Sequence, residues 1–126
     1  MKHPERIEDY LLHITEAIDH ITGYVQDIDS PATLERDHKT QAAVIRNIEI
    51  IGEAANRIHK QAPEFFAAHP SVPWRKMREM RNRMIHNYFD INIDVVWDTA
   101  KNDLPKLKQQ IDLLLIDLKR DPDREQ

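Results

Sequence analysis

Apolar residues recur along most of this chain at alternating spacings of four and three, the period of amphipathic helices and not of strands. Ile7, Leu11, Ile14, Ile18, Ile21, Val25 and Ile28 form a first seam, which predicts a helix over 4–28. Val44, Ile48, Ile51, Ala55 and Ile58 form a second over 39–61, with Gly52 placed to let another helix come close. Met77, Met80, Met84 and Tyr88 share one side of a third segment, expected to run from Pro73 to Tyr88 or Phe89. Val95, Val96 and Ala100, then Leu104, Leu107, Ile111, Leu114 and Leu118, mark a fourth, with Asp94 as its expected cap. Two glycines in 126 residues leave little material for the tight turns of short strands. The expected architecture is therefore all-α, an up-and-down four-helix bundle with short extra helices. One domain is expected over 1–119, followed by a charged tail over 120–126 that frays.

Prolines punctuate this pattern. Ser30-Pro31 has the form of an N-cap followed by proline at the first helical position, so a short helix is expected to restart there. Pro63 ends the second long helix, and 63–73 holds three prolines around Phe65 and Phe66, a partly helical connection that sets aromatic rings on the core. Pro105 is positioned to kink or restart the last helix. Trp74 and Trp97 are expected to be packing anchors.

Several classes of chemistry drop out. The chain has no cysteine, which removes disulfides, thiolate metal sites and cysteine nucleophiles. It has no Gly-rich phosphate loop, serine elbow or dinucleotide fingerprint, and no cofactor is expected. Apolar runs stop at four residues and the N-terminus leads into no apolar segment, so a cytoplasmic protein without a membrane span is expected.

The charge is segregated. Arg75, Lys76, Arg78, Arg81 and Arg83 face only Glu79 in the stretch 74–83, a local balance of plus 4 within a chain of net charge minus 4. Either this is a solvated helix face, or it is an anion site whose guanidinium groups suit phosphate. Its company favours chemistry: Arg81-Asn82-Arg83-Met84-Ile85-His86-Asn87-Tyr88. On one continuous helix, at about 100° per residue, Asn82 and His86 would share a face with Arg81 on its flank. Histidine moves protons near neutral pH, arginine holds a phosphoryl oxygen that gains charge, and an asparagine amide orients either. Those are the needs of phosphodiester cleavage without a metal. A rival constellation, His13, Glu16 and His20 with the Glu35-x-x-His38 match, suggests a carboxylate-bridged metal site, but the paired Glu-x-x-His pattern of di-iron bundles is incomplete and surface histidines are expected.

The run 81–88 resembles the Arg-x4-His motif of the HEPN superfamily, and its extension to Arg-x4-His-x-Tyr resembles the HepT-type toxins. The likeness extends through Asn47-Ile48-Glu49-Ile50-Ile51-Gly52-Glu53-Ala54-Ala55, through Trp74 and Met80-Arg81-Asn82, and through Val95-Val96-Trp97 and Leu104-Pro105, covering nearly the whole chain. The resemblance implies a HEPN-like bundle that dimerises and sets two motifs in a shared cleft. It implies a metal-independent ribonuclease, the toxin of a type VII-like toxin–antitoxin pair, with Arg81 and His86 catalytic and Asn82 supporting. It also implies a partner, a nucleotidyltransferase antitoxin of the MntA type, that silences the toxin by moving AMP onto Tyr88.

Two readings follow. In the first, the chain is an endoribonuclease in which the 2′-OH of RNA attacks the adjacent phosphorus, while Arg75, Arg78 and Arg83 draw in a single strand. Met84, Tyr88 and Phe89 would then cover a two-fold homodimer interface. In the second, the same basic face belongs to a non-catalytic helical module that binds a nucleotide or a protein.

Overall fold

The computed structural model describes residues 7–87 and 90–120, with the backbone alone for 85–87. Seven helices and a two-strand ribbon follow in order: α1 (Ile7–Val25), α2 (Pro31–Arg36), α3 (His38–Gln61), α4 (Pro63–Ala68), α5 (Trp74–Met84), β1 (Ile85–Asn87), β2 (Asp90–Ile91), α6 (Ile93–Asp98) and α7 (Leu104–Arg120). A π-helical turn over Thr99–Asp103 joins α6 to α7, so the two make one long element. The result is the expected all-α architecture, in which α1, α3, α5 and the α6–α7 unit are the main helices.

The seams read from the sequence become the core. Leu11, Ile14, Ile18 and Ile21 of α1, Ile48, Ile51 and Ile58 of α3, and Leu104 and Ile111 at the start of α7 are fully buried in one cluster. Polar contacts fix the helix directions. Gln61 donates to the Tyr10 hydroxyl at 3.1 Å, and the His20 ring meets the Asn47 amide at 3.2 Å, so α3 runs antiparallel to α1. Lys101 donates to the Val25 carbonyl at 2.9 Å, and Lys108 reaches Asp19 at 3.8 Å, so α7 also runs antiparallel to α1. Two acidic partners, Asp112 and Asp19, push the Lys108 ammonium above the ordinary lysine range.

Local stops and starts follow side-chain chemistry. Ser30 accepts from the Thr33 amide and Pro31 occupies the first turn of α2, as the sequence predicts. Asp37 accepts from the Thr40 amide at 3.0 Å and the Thr40 hydroxyl at 2.7 Å, which caps α3 and holds its carboxyl below the usual value. The π turn has a cause in Pro105: lacking an N–H, it cannot bond back to Lys101, and the Leu104 amide bonds to the Thr99 carbonyl five residues back.

Three expectations are corrected. Asn92, not Asp94, caps the fourth helix, its side chain accepting from the Val95 amide at 3.3 Å; Asp94 falls in the first turn, where its charge suits the helix dipole. The third helix stops at Met84 and does not continue to Tyr88 or Phe89, because the Asn92 amide takes the Met84 carbonyl at 2.7 Å and β1 pairs antiparallel with β2. Met84 is no leftover surface: it is buried in the core of its own chain. Tyr88, Phe89, residues 1–6 and the tail at 121–126 lie outside the described residues.

Candidate functional site

The basic helix α5 lies against α3 because its inner side is apolar and its neighbour is small. Trp74, Met77, Met80 and Met84 point into the core. Opposite them stands Gly52, where an added Cβ would meet the Met77 carbonyl at 3.3 Å and the Arg78 carbonyl at 3.8 Å. The close approach expected of Gly52 is thus real, and it brings two polar helix flanks to the edges of one open cleft of about 1400 Å³. That exceeds the usual volume of a small-molecule pocket, roughly 300 to 1,000 Å³.

The walls differ in charge. Arg75, Lys76, Arg78, Arg81, Asn82 and Arg83 line the α5 side and are exposed. Arg46, Glu49, Glu53, Asn56 and His59 line the α3 side. Across the gap, Arg81 Nε meets Glu49 Oε2 at 2.9 Å, with the two side chains 50% and 37% exposed. With five N–H donors in its guanidinium, Arg81 keeps donor capacity beyond the Nε contact. Arg75 pairs with Glu79 one turn on at 3.3 Å, an exposed contact of little energetic weight. Arg83 borders both the cleft and a smaller hollow that includes Asp98 and Asp103.

The far end of the cleft is aromatic. Phe66 of α4 stacks flat on Trp74, with ring centroids 4.5 Å apart and planes 6° apart, and His59 sits 5.0 Å from Phe66 at a 42° tilt. Trp74 is locked by its indole N–H, which donates to the His69 carbonyl at 3.0 Å. Trp97, the other expected anchor, is half-buried, with the Lys101 ammonium 5.0 Å from its ring centre.

The structure thus gathers Arg75, Arg78, Arg81, Asn82 and Arg83 on one helix at one cleft. It does not put Asn82 and His86 on one helical face, because the backbone of His86 lies in β1, beyond the end of α5. The side chain of His86 and all of Tyr88 lie outside the described residues. The rival constellation is dispersed. The Glu35-x-x-His38 match is split by the Asp37 cap between two helices, His20 bonds to Asn47, and His13 sits edge-on to Tyr10. Among the described residues no three His, Asp or Glu side chains stand together to hold a metal ion.

Sequence reasoning missed the α3 wall, Glu49 above all. A signal existed: Arg46, Glu49, Glu53, Asn56 and His59 recur at spacings of three and four around Gly52, a polar stripe beside a small residue. Its partner across the gap is non-local and carries no mark in the sequence.

The sequence has known relatives. The family model described as "Ribonuclease HepT-like" matches residues 14–114. A protein of Thermococcus cleftensis named "Probable ribonuclease HepT" is 44% identical over 107 residues, 85% of this chain and 94% of its own. One from Methanocaldococcus jannaschii, named a "Putative RNase", is 36% identical over 113 residues, 89% of each chain. No solved structure is significantly similar. Among the described residues no helix is long and apolar enough to cross a membrane. With a model match over most of its length and relatives of this identity, the chain belongs to the ribonuclease HepT-like family.

Proposed function

We propose that the chain is a metal-independent endoribonuclease and the toxin of a toxin–antitoxin pair. The observation that carries this reading is the Arg81 guanidinium held at 2.9 Å by Glu49 on the rim of a basic cleft, five residues before His86. The names of its relatives, which call them ribonucleases, support the substrate class.

In this reading the RNA 2′-oxygen attacks the adjacent phosphorus as its proton passes to a base, and the 5′-oxygen leaves as it takes a proton from an acid. His86 serves one of these proton transfers, and His86 of a second subunit across a two-fold axis serves the other. Arg81 stabilises the charge that builds on the non-bridging oxygens, and the Asn82 amide orients the phosphate or its partner. Glu49 directs the guanidinium through Nε while its terminal nitrogens meet the substrate. Arg75, Arg78 and Arg83 attract the backbone, and the size of the cleft favours a polymer over a free nucleotide.

Control falls to a nucleotidyltransferase antitoxin: the Tyr88 hydroxyl gives up its proton and attacks the α-phosphorus of ATP, AMP becomes bonded to the phenol oxygen, and pyrophosphate leaves. The added phosphodiester anion competes with RNA for the same arginines. Incubation with single-stranded RNA in excess EDTA tests the activity. Fragments ending in a 2′,3′-cyclic phosphate or a 3′-phosphate are expected, whereas 3′-hydroxyl ends or a requirement for added magnesium contradict the mechanism. Binding without cleavage would favour the non-catalytic module.

A further inference from the structure

We propose that the α4 end of the cleft is a nucleobase subsite, in which a base of single-stranded RNA stacks on His59 beside Phe66. The proposal rests on the reading of the cleft as an RNA path and adds to it a place where bases, not phosphates, are held.

The rings there are built as a braced stack. Phe66 lies flat on Trp74, whose indole is fixed by the His69 carbonyl, so Phe66 has little freedom to move. His59 sits 5.0 Å from Phe66 at a 42° tilt, is half-buried and lines the cleft, so part of its ring is open to it. Packing accounts for Phe66 and Trp74 but gives no reason for an imidazole among the rings that line the cleft. One turn before His59, half-buried Asn56 also lines the cleft, with an amide that can both donate to and accept from a base edge.

The charge pattern fits the same ligand. Glu49, opposite Arg81, and His59 are ten positions apart on α3, about 15 Å at roughly 1.5 Å per residue. Exposed Arg75 and Arg78 lie on the facing wall of that cleft. A strand whose scissile phosphate meets Arg81 therefore runs past cations and reaches an aromatic platform a few nucleotides away. Basic grooves that end on stacking rings are a general solution for single strands, because every base offers a π-face.

Equilibrium binding of a decanucleotide with 2′-O-methyl groups, which 2′-OH attack cannot cleave, tests this on the full chain independently of any ribonuclease activity. A 2′-O-methyl dinucleotide and inorganic polyphosphate, which has charge but no bases, serve as comparisons. His59→Ala is expected to weaken decanucleotide binding roughly tenfold. It should leave dinucleotide and polyphosphate binding unchanged, and His59→Phe should restore the decanucleotide affinity. Equal decanucleotide affinity of the native protein and folded His59→Ala, or a loss shared equally by polyphosphate, overturns the subsite. Failure of the native protein to cleave ordinary RNA would instead count against the ribonuclease reading.

Discussion

Glu49 of α3 and Arg81 of α5 meet at 2.9 Å across the cleft, through the guanidinium nitrogen that points back along the side chain. In the proposed mechanism this contact gives Glu49 a positioning role, with its effect expected in the chemical step. Glu49→Ala is expected to lower kcat roughly tenfold or more while KM changes much less, since a misaimed donor costs transition-state stabilisation first. Glu49→Gln keeps an acceptor and should recover part of the loss. Steady-state kinetics on one RNA substrate checks this, and an unchanged kcat in Glu49→Ala contradicts it.

The same cleft depends on a glycine. Gly52 leaves 3.3 Å between a hypothetical Cβ and the Met77 carbonyl, and backbone cannot swing aside as a side chain tip can. Gly52→Val is expected to destabilise the fold by about 1–3 kcal/mol as α5 is pushed off α3, and to weaken the Arg81–Glu49 contact with it. Denaturant unfolding measures the first effect; a stability equal to that of the native chain would show that the contact is not tight.

What the sequence disclosed and what it hid divide along local and non-local lines. The seams of α1, α3 and α7, the Ser30 cap and the approach at Gly52 are properties of spacing and of single residues, and all are present. The end of α5 is different. Met77, Met80 and Met84 keep a helical spacing that Tyr88 extends in the sequence, but the helix stops where the Asn92 amide arrives from eight residues downstream. The same event removes the shared face argued for Asn82 and His86. Nor could the chain announce that Glu49 would oppose Arg81, since 32 residues separate them and only the antiparallel packing of α3 and α5 joins them. Arg81 and its basic neighbours were legible because they sit on a single helix.

Dimerisation is expected from the two-histidine mechanism. Met84 lies inside the core of its own chain and is no part of the dimer interface; Phe89→Glu is expected to weaken the dimer. Light scattering at micromolar concentration should give twice the subunit mass of 14.9 kDa for the native chain. A monomer there refutes the shared-cleft mechanism.

Control by modification makes a chemical prediction. Co-expression with a nucleotidyltransferase of the MntA type should add AMP to Tyr88, visible as intact-mass adducts that map to the peptide containing it, together with loss of cleavage. Tyr88→Phe should escape both. An inactive co-expressed chain without an adduct, or an adduct at another residue, contradicts this control.

The most direct test of the account is RNA cleavage in excess EDTA by the native chain and by Arg81→Ala and His86→Ala, each shown to be folded by circular dichroism. The account predicts cyclic-phosphate ends from the native protein and at least a hundredfold loss in both variants. Cleavage by either variant at the native rate would contradict it.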